Sequence, residues 1–413
     1  MKKLLVIAFV WPEPSSTAAG NRMLQLLHFF LEQKYEITIA STASESELSL
    51  NLSSLGVQKK TIQLNDSIFD EFLANLSPEI VVFDRFLTEE QFGWRVAEHT
   101  PKALRILDTE DLHSLRHTRE KAFKNNIPFS IHLWLTKEIT KREIASIYRC
   151  DLSLIISTYE MEILTNELKI DASLLLHLPF LLDKIDKKEV EAWSKFEMRQ
   201  GFICIGNGKH APNVDAVRWL KKEIWPLIRK ELPKAELHVY GSYLPEQLQQ
   251  MHKPSDGFLV EGWTNDAHKA MSKAKVNLAP LRFGAGIKGK LIDAMQTGTP
   301  SITTKIGAEG MHQDLKWNGT IAESVTDIAQ AAIHLYTNKI AWQEAQQNGI
   351  QIINALYNRT THEENFAVII DNLKNTLEQH RATNFIGSML VYHTLASTKY
   401  MSKWIEEKNK KIK

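Results

Sequence analysis

The sequence predicts an α/β protein made of two doubly wound halves, each a parallel sheet covered by helices on both faces. Three observations carry that expectation. A chain of 413 residues is too long for one ordinary domain and suits two of roughly 200. Short apolar runs alternate with helical patterns in both halves, the mark of repeated β-α-β units. A charged stretch without strand pattern, 184–199, separates the two series and reads as a linker. The expected division is an N-terminal domain over 1–190, a C-terminal domain over 196–380 and a helical basic tail over 381–413.

In the first half, residues 4–10 read as a strand buried on both faces, as in a parallel sheet. A Pro/Ser-rich loop follows, and 21–33 has helical spacing through Met23, Leu26, Leu27 and Phe30. Strands are expected at 35–40, 57–64, 79–84 and 103–107, with helices at 68–76 and 89–99 between them. A long helix over 131–149 presents Trp134, Ile139, Ile144 and Ile147 on one face, and strands at 152–157 and 173–178 close the domain. Arg85 and the run Asp108-Thr109-Glu110-Asp111-Leu112-His113 follow strand ends, where ligands gather in such sheets. Three carboxylates and a histidine in six residues suit acid–base work or a metal. His113 and His117 have the spacing of metal ligands, but the intervening Ser-Leu-Arg lacks the glutamate of a zinc protease. Asp111 also suits a plainer role, capping the helix that follows.

The second half restarts with a strand at 202–206. Gly206-Asn207-Gly208-Lys209-His210-Ala211-Pro212-Asn213 follows: a Gly-x-Gly turn, a lysine, and a proline at a helix start. That arrangement is friendly to phosphate and equally compatible with a plain turn capped by Asn213. A helix over 215–230, strands at 236–240 and 258–261 and a helix over 266–273 continue the alternation. Trp263, in the turn before the last of these, either stacks on a ligand or fills the core. After a strand at 319–322, three helices over 324–336, 340–355 and 361–377 complete the domain. The tail carries Phe385, Tyr392, Tyr400 and Trp404 and a basic close over 408–413. It fits a packing helix with a solvated end, or a seat on an anionic membrane.

The chain is organised around 276–310, VNLAPLRFGAGIKGKLIDAMQTGTPSITTKIGAEG. A buried strand (276–280) leads through a glycine-rich turn into a helix (287–296), and a second strand (301–304) follows. Gly284, Gly286 and Gly289 let backbone N–H groups turn toward a ligand, and the helix N-terminus adds partial positive charge. Arg282, Lys288 and Lys290 supply full charges around the turn, as a diphosphate requires. Asp293 sits deeper on the same helix, placed to accept hydrogen bonds from ribose hydroxyls. The glycines also suit a tight strand-to-helix connection, and they match neither a P-loop nor a dinucleotide fingerprint in its usual place.

The segment resembles the donor-site signature of family 4 (group 1) glycosyltransferases of the GT-B fold, in its APLRxGAGIKGKxxEAMxxGxPV version. The resemblance implies two Rossmann-like domains facing each other across a cleft. It implies that Gly284, Ala285, Gly286 and Ile287 form the loop facing the donor pyrophosphate, and that Lys288 or Lys290 neutralises it. Asp293 matches the second glutamate of the family's pair, which holds the ribose. The first glutamate falls at Ala285, so its contact with the donor sugar is missing. By the same resemblance, Gly206, Gly208 and Lys209 face the diphosphate, and Trp263 lies near the base. Asp111 and His113 stand at the interdomain cleft, and the last covering helix, 361–377, crosses back toward the first domain. Glu309, in a turn at a strand's carboxyl end, either touches a sugar hydroxyl or starts the following helix. Pro179 and Asp183 are what remains of the family's Pro-Asn-Gly-containing run.

A net charge of +1 gives no global pull toward nucleic acid. Only Cys150 and Cys204 are present, which suits a reducing compartment better than a disulfide framework. No apolar run reaches the length of a membrane span, and the expected location is the cytoplasm or the inner face of its membrane. The expected activity is transfer of a hexosyl unit from a nucleotide-diphosphate sugar to an acceptor hydroxyl. The acceptor is a glycan, a lipid-linked or a small molecule. No metal or other cofactor is expected, and the resemblance implies retention at the anomeric carbon. His113, Asp111 and Lys288 are the expected catalytic residues. A nucleotide-sugar epimerase and a degenerate binding or assembly subunit on the same scaffold are the alternatives. Acid–base carboxylates in the first domain favour the former, and Ala285 with the eroded Pro-Asn-Gly run favours the latter.

Overall fold

The structure is a computed structural model that describes residues 2–410. Two parallel sheets form its frame. The first holds β1 (Lys2–Ala8), β2 (Tyr35–Ser41), β3 (Gln58–Thr61), β4 (Ile80–Asp84), β5 (Leu104–Asp108), β6 (Leu152–Ile155) and β7 (Leu175–His177), in the order β3-β2-β1-β4-β5-β6-β7. The second holds β8 (Phe202–Ile205), β9 (Leu237–Tyr240), β10 (Phe258–Gly262), β11 (Val276–Ala279), β12 (Ser301–Thr303) and β13 (Gly319–Ile321), in the order β10-β9-β8-β11-β12-β13. Both are wound the same way: each starts at a central strand, runs to one edge, then returns to the far side of that strand.

The central strands β1, β4 and β11 are apolar at nearly every position because helices cover both faces of their sheets. One face of the first sheet packs Leu4, Val6, Ile80 and Leu104 against Leu26, Phe29 and Phe30 of helix Ala18–Glu32. The other face packs Leu5, Ile7, Val81 and Phe83 against Phe69, Phe92 and Trp134. In the second domain Trp225 and Ile228 close over Phe202, Leu237 and Val276. The expected helix over 215–230 runs from 211 to 231 and contains a π turn, Leu220–Ile224, just ahead of Pro226. Proline has no N–H for the helical ladder, and the wider turn absorbs the break.

One segment differs from expectation. The stretch 131–149 forms two helices, Ile131–Leu135 and Glu138–Arg149. The chain turns at Thr136-Lys137 because the Trp134 carbonyl accepts from Lys137 N–H (3.1 Å) and the Thr140 hydroxyl (2.7 Å). The C-terminal helices return to the first domain, as the resemblance implies for the last covering helix. Phe366 of helix Arg359–Asn375 stacks on Phe29 with ring centroids 4.7 Å apart. Helix Phe385–Lys410 lies across helices Phe86–His99 and Glu138–Arg149. Buried Arg95 ties Asp70 to Glu406, and Arg381 grips Asp151 at 2.7 Å. Positions 411–413 of the expected basic close lie outside the described residues. The rest of the tail is a built part of the first domain, with Tyr392, Tyr400 and Trp404 left 64–76 % exposed.

Candidate active site

The strand order reverses between β1 and β4 and again between β8 and β11. Loops leaving the carboxyl ends of such strands diverge and open a crevice, the usual ligand position in a doubly wound sheet. The two crevices face each other and merge into one cleft of about 700 Å³. The first domain contributes the loop after β1, then Asp84, Arg85, Glu110, Asp111, His113 and Arg116. The second contributes the loops after β8, β9, β10 and β11.

The glycine-rich loop works at close quarters with the first domain. Gly286 has φ +63°, and a Cβ there would stand 2.7 Å from the Asp111 Cβ, so glycine is required on both counts. Its N–H donates to Glu160 Oε1 at 3.0 Å, and Leu112 N–H donates to the same oxygen at 3.0 Å. One buried carboxyl thus joins the two domains, and burial pushes it up to about pH 8. Helix Gly289–Gln296 begins opposite helix Ala18–Glu32, with room only for the bare Cα of Gly289 against Ala18.

Lys288 is buried and Lys290 half-buried, and both line the cleft. Lys288 is the N-cap residue of helix Gly289–Gln296, and its ammonium donates to the Gly286 carbonyl at 2.7 Å. Lys290 donates to Asn213 Oδ1, across a gap where any side chain at Gly206 would collide with the lysine nitrogen. Burial lowers both ammonium groups to about pH 8. Two positive charges that burial disfavours thus stand beside a helix N-terminus, where a bound anion would stabilise them. One turn deeper, Asp293 Oδ1 lies 3.2 Å from His268 Nε2. That hydrogen bond holds the imidazole above its ordinary pKa, so the carboxylate has a cationic neighbour at mildly acidic pH.

On the facing wall, Asp111 is clamped by Arg116 (2.7 and 3.3 Å) and lies 3.2 Å from His113 Nε2. Burial raises the Asp111 carboxyl, but Arg116 and His113 outweigh it and hold it well below the usual carboxylate range. Burial drives His113 down to about pH 3, so its ring is neutral near pH 7 and offers hydrogen bonds rather than charge. Asp111 does not cap the following helix. Glu143 does, reaching from helix Glu138–Arg149 to accept from His113 N–H (2.8 Å) and Ser114 N–H (3.0 Å). Among the described residues no three His, Cys, Asp or Glu side chains gather as a metal cage, so the His113/His117 spacing has no third ligand beside it.

The structure therefore brings together Asp111, His113, Gly206, Lys209, Trp263, Gly284, Ala285, Ile287, Lys288, Lys290 and Asp293 on one cleft. Trp263 is 47 % exposed at the cleft wall rather than in the core. Four expected donor contacts stand elsewhere. Arg282 is spent in a two-pronged pair with Asp215 (2.7 and 2.8 Å) and stacks on Trp219. Gly208 is pressed against the Tyr243–Leu244 backbone, where a Cβ would have no room. Gly286 turns its N–H to Glu160, as described. Glu309 faces away from the cleft and pairs with Arg119 of the first domain at 2.6 and 2.8 Å, and Arg119 also donates to the Gly284 carbonyl at 2.9 Å.

Sequence reasoning missed the partners that come from other strands. His268 sits one helix away from Asp293, and Asn213 lies 77 residues and three strands before Lys290. A clasp from the loop after β1 was also missed: Ser16 Oγ meets Ser242 Oγ at 2.7 Å, Asn207 donates to Ser16 at 3.0 Å, and Tyr243 OH donates to Glu13 at 3.1 Å. The Pro/Ser composition of that loop was the only hint.

Comparison with known proteins agrees with this geometry. Residues 199–338 match the family model described as Glycosyl transferases group 1. A curated protein of Klebsiella pneumoniae, "Uncharacterized 44.6 kDa protein in cps region", is 22% identical over 289 residues, 67% of this chain and 71% of that one. Among solved structures, S. aureus TarM in complex with fondaparinux, alpha-GlcNAc-glycerol and UDP superposes with a TM-score of 0.68 at 10% identity, over 89% of this chain and 99% of TarM. Sucrose-phosphate synthase from Thermosynechococcus elongatus gives 0.66 at 13% over 90% and 99%, and Anabaena HepE with UDP-glucose gives 0.63 at 10% over 90% and 100%. The twin doubly wound sheets, the facing switch points and the matched second domain lead to one conclusion: this chain has the GT-B fold, and its residues 199–338 match the group 1 glycosyl transferases.

Proposed function

We propose that the protein moves a hexosyl unit from a nucleotide-diphosphate sugar to an acceptor hydroxyl, with retention at the anomeric carbon and without a metal ion. The observation that carries this reading is the pair of cleft-lining lysines, buried Lys288 and half-buried Lys290, at the start of helix Gly289–Gln296. A departing diphosphate gains negative charge as the anomeric bond breaks, and fixed positive groups are most effective where that charge develops. Asp293 would hold the ribose, Trp263 would cover the base, and neutral His113 would bond a sugar hydroxyl. The acceptor, a glycan, a lipid-linked or a small molecule, would enter from the first-domain side. The acidic group Asp84, Asp108 and Glu110 on that side supports the epimerase alternative as well, and product analysis separates the two. Release of diphosphate with a new glycosidic bond supports transfer, and a changed donor sugar without transfer supports epimerisation.

The test is thermal stabilisation by a panel of nucleoside diphosphates and their sugars. A ligand at a hundredfold its dissociation constant adds about 2.7 kcal/mol. One diphosphate stabilising selectively is the expected result, and silence across the panel would remove the donor-site reading and leave a binding subunit. The lysines add a pH signature. Both are held near pH 8 in the unliganded protein, and a bound diphosphate raises them. Affinity should therefore fall as pH rises from 8 to about 10, with protons taken up on binding near its midpoint. Calorimetry in buffers of different ionisation heat reads this directly, and no proton uptake would mean that the ligand does not meet the lysines.

We also place the protein in the cytoplasm, at the inner face of the membrane. Among the described residues no helix is long and apolar enough to cross a bilayer. Helix Phe385–Lys410, however, exposes Tyr392, Tyr400, Met401 and Trp404, interspersed with lysines, as an interfacial helix does. The protein should co-sediment with vesicles containing anionic lipid and release in high salt. A Tyr400→Ser/Trp404→Ser variant that sediments equally well would rule this face out.

A further inference from the structure

We propose that Asp84 and Arg85, at the carboxyl end of β4, hold the acceptor, and that the part they hold is an uncharged sugar ring presenting two neighbouring hydroxyls. This rests on the transferase reading above and narrows it: the acceptor meets the cleft with a sugar, not with a phosphate or an alkyl alcohol. Both residues line the first-domain wall, while Lys288 and Lys290 belong to the wall of the second domain.

The pair sets a hydrogen-bond acceptor beside a donor. Asp84 is 4 % exposed. Its Oδ2 accepts from Phe9 N–H at 2.9 Å, and its Oδ1 has no hydrogen-bond partner among the described residues. Arg85 Nε lies 3.5 Å from that Oδ1 without a hydrogen bond to it, and it too has no hydrogen-bond partner among the described residues. Buried polar atoms without partners are rare in native folds, and in a cleft wall a ligand is what completes them. A hydroxyl both donates and accepts, so two adjacent ones on a ring serve the carboxylate and the guanidinium together. An alkyl chain serves neither.

The backbone is held in a costly state to place these side chains. Arg85 has φ +73° and ψ 157°, a region almost confined to glycine, and Glu110, just past the end of neighbouring β5, has φ +64°. Arg85 N–H donates to the Asp108 carbonyl at 2.8 Å, and the Thr88 hydroxyl donates to the Arg85 carbonyl at 3.0 Å. The strained residue is thereby fixed at the start of helix Phe86–His99. Strain kept in this way gathers where a ligand is clamped.

Charge decides between a neutral sugar and an anion. Burial lowers the Arg85 guanidinium, but Asp84, Glu110 and Asp111 outweigh it and hold it above its ordinary pKa, so its charge is already countered. Arg116, on the same wall, is clamped on Asp111. A phosphate or uronate entering here would meet Asp84, Glu110 and Asp111 as like charges. The diphosphate goes to the lysines, and the uncharged ring to this wall.

Methyl glycosides serve as probes, since the natural acceptor is unidentified. Nucleoside diphosphate release from the stabilising nucleotide sugar is followed with water alone, with neutral methyl hexopyranosides, with the matching methyl hexuronides and with decyl phosphate. Mass spectrometry identifies the products. Neutral pyranosides should speed release and become glycosylated, and the two anionic probes should not. In Asp84→Asn and in Arg85→Gln the KM for the pyranoside should rise roughly ten- to a hundredfold, the loss of one hydrogen bond to a charged group. Nucleoside diphosphate affinity should stay that of the wild type in both, which also shows that they fold. Preference for an anionic probe, no glycosylated pyranoside from a wild type that binds diphosphate, or an unmoved KM in both variants overturns the assignment and leaves the donor site standing. A wild type that binds no nucleoside diphosphate removes the reading beneath and the assignment with it.

Discussion

Replacing Lys288 with alanine should lower turnover by roughly 10²–10³-fold, equivalent to about 2.7–4 kcal/mol of lost transition-state stabilisation. The argument starts from the cost of the residue in the resting protein. Lys288 is buried, its ammonium bonds only a loop carbonyl at 2.7 Å, and burial lowers it to about pH 8. A charge kept at such expense stabilises nothing in the fold, so the variant should melt no lower than the wild type. A folded lysine pKa below the unfolded one makes the charged form the unfavourable one. Stability supplied by the native site therefore rises with pH from about 8 toward the unfolded lysine value, and the alanine variant should lose that rise. Steady-state kinetics with the donor chosen by the panel, together with melting curves from pH 7 to 10, checks both halves. Normal turnover in a well-folded variant would move the diphosphate contact to Lys290 alone.

The second large effect is expected at Arg119. This guanidinium, nearly inaccessible, makes a two-pronged pair with Glu309 and a third bond to the Gly284 carbonyl, all across the domain boundary. Arg119→Met leaves a half-buried carboxylate and a loop carbonyl without partners. Breaking a buried pair from one side costs about 3–5 kcal/mol. Glu309→Gln added to it should recover a good part, because the uncompensated charge is then gone. Denaturant unfolding of the two single variants and the double completes the cycle. Additive losses would mean that the pair is not coupled. The same tie holds the glycine loop, so donor affinity should weaken in Arg119→Met even though the side chain does not line the cleft.

Much of this was legible in one dimension, for physical reasons. Parallel strands covered on both faces must be apolar throughout, so β1, β4, β11 and their companions announce themselves. A turn that packs against a neighbouring domain requires glycines, and the 284–289 loop shows them in a row. Lys288, Lys290 and Asp293 share one strand–turn–helix unit, so their spacing alone puts them on one side of it. The break at Thr136-Lys137 was hidden because it depends on where the Trp134 carbonyl finds its donors, and both 131–135 and 138–149 keep helical spacing.

What the sequence alone determined is the pair of doubly wound sheets and the two lysines at one helix start on the cleft, because periodicity and local spacing encode both. Only the tertiary structure decided which charges remain available. It bound Arg282 to Asp215 and Glu309 to Arg119, and it set His268 against Asp293 and Asn213 against Lys290. It also folded the C-terminal tail onto the first domain and set Glu110 at the cleft wall beside Arg85. A charge is cancelled by whatever stands within a few ångströms of it. That neighbour comes from the meeting of strand ends far apart in the chain.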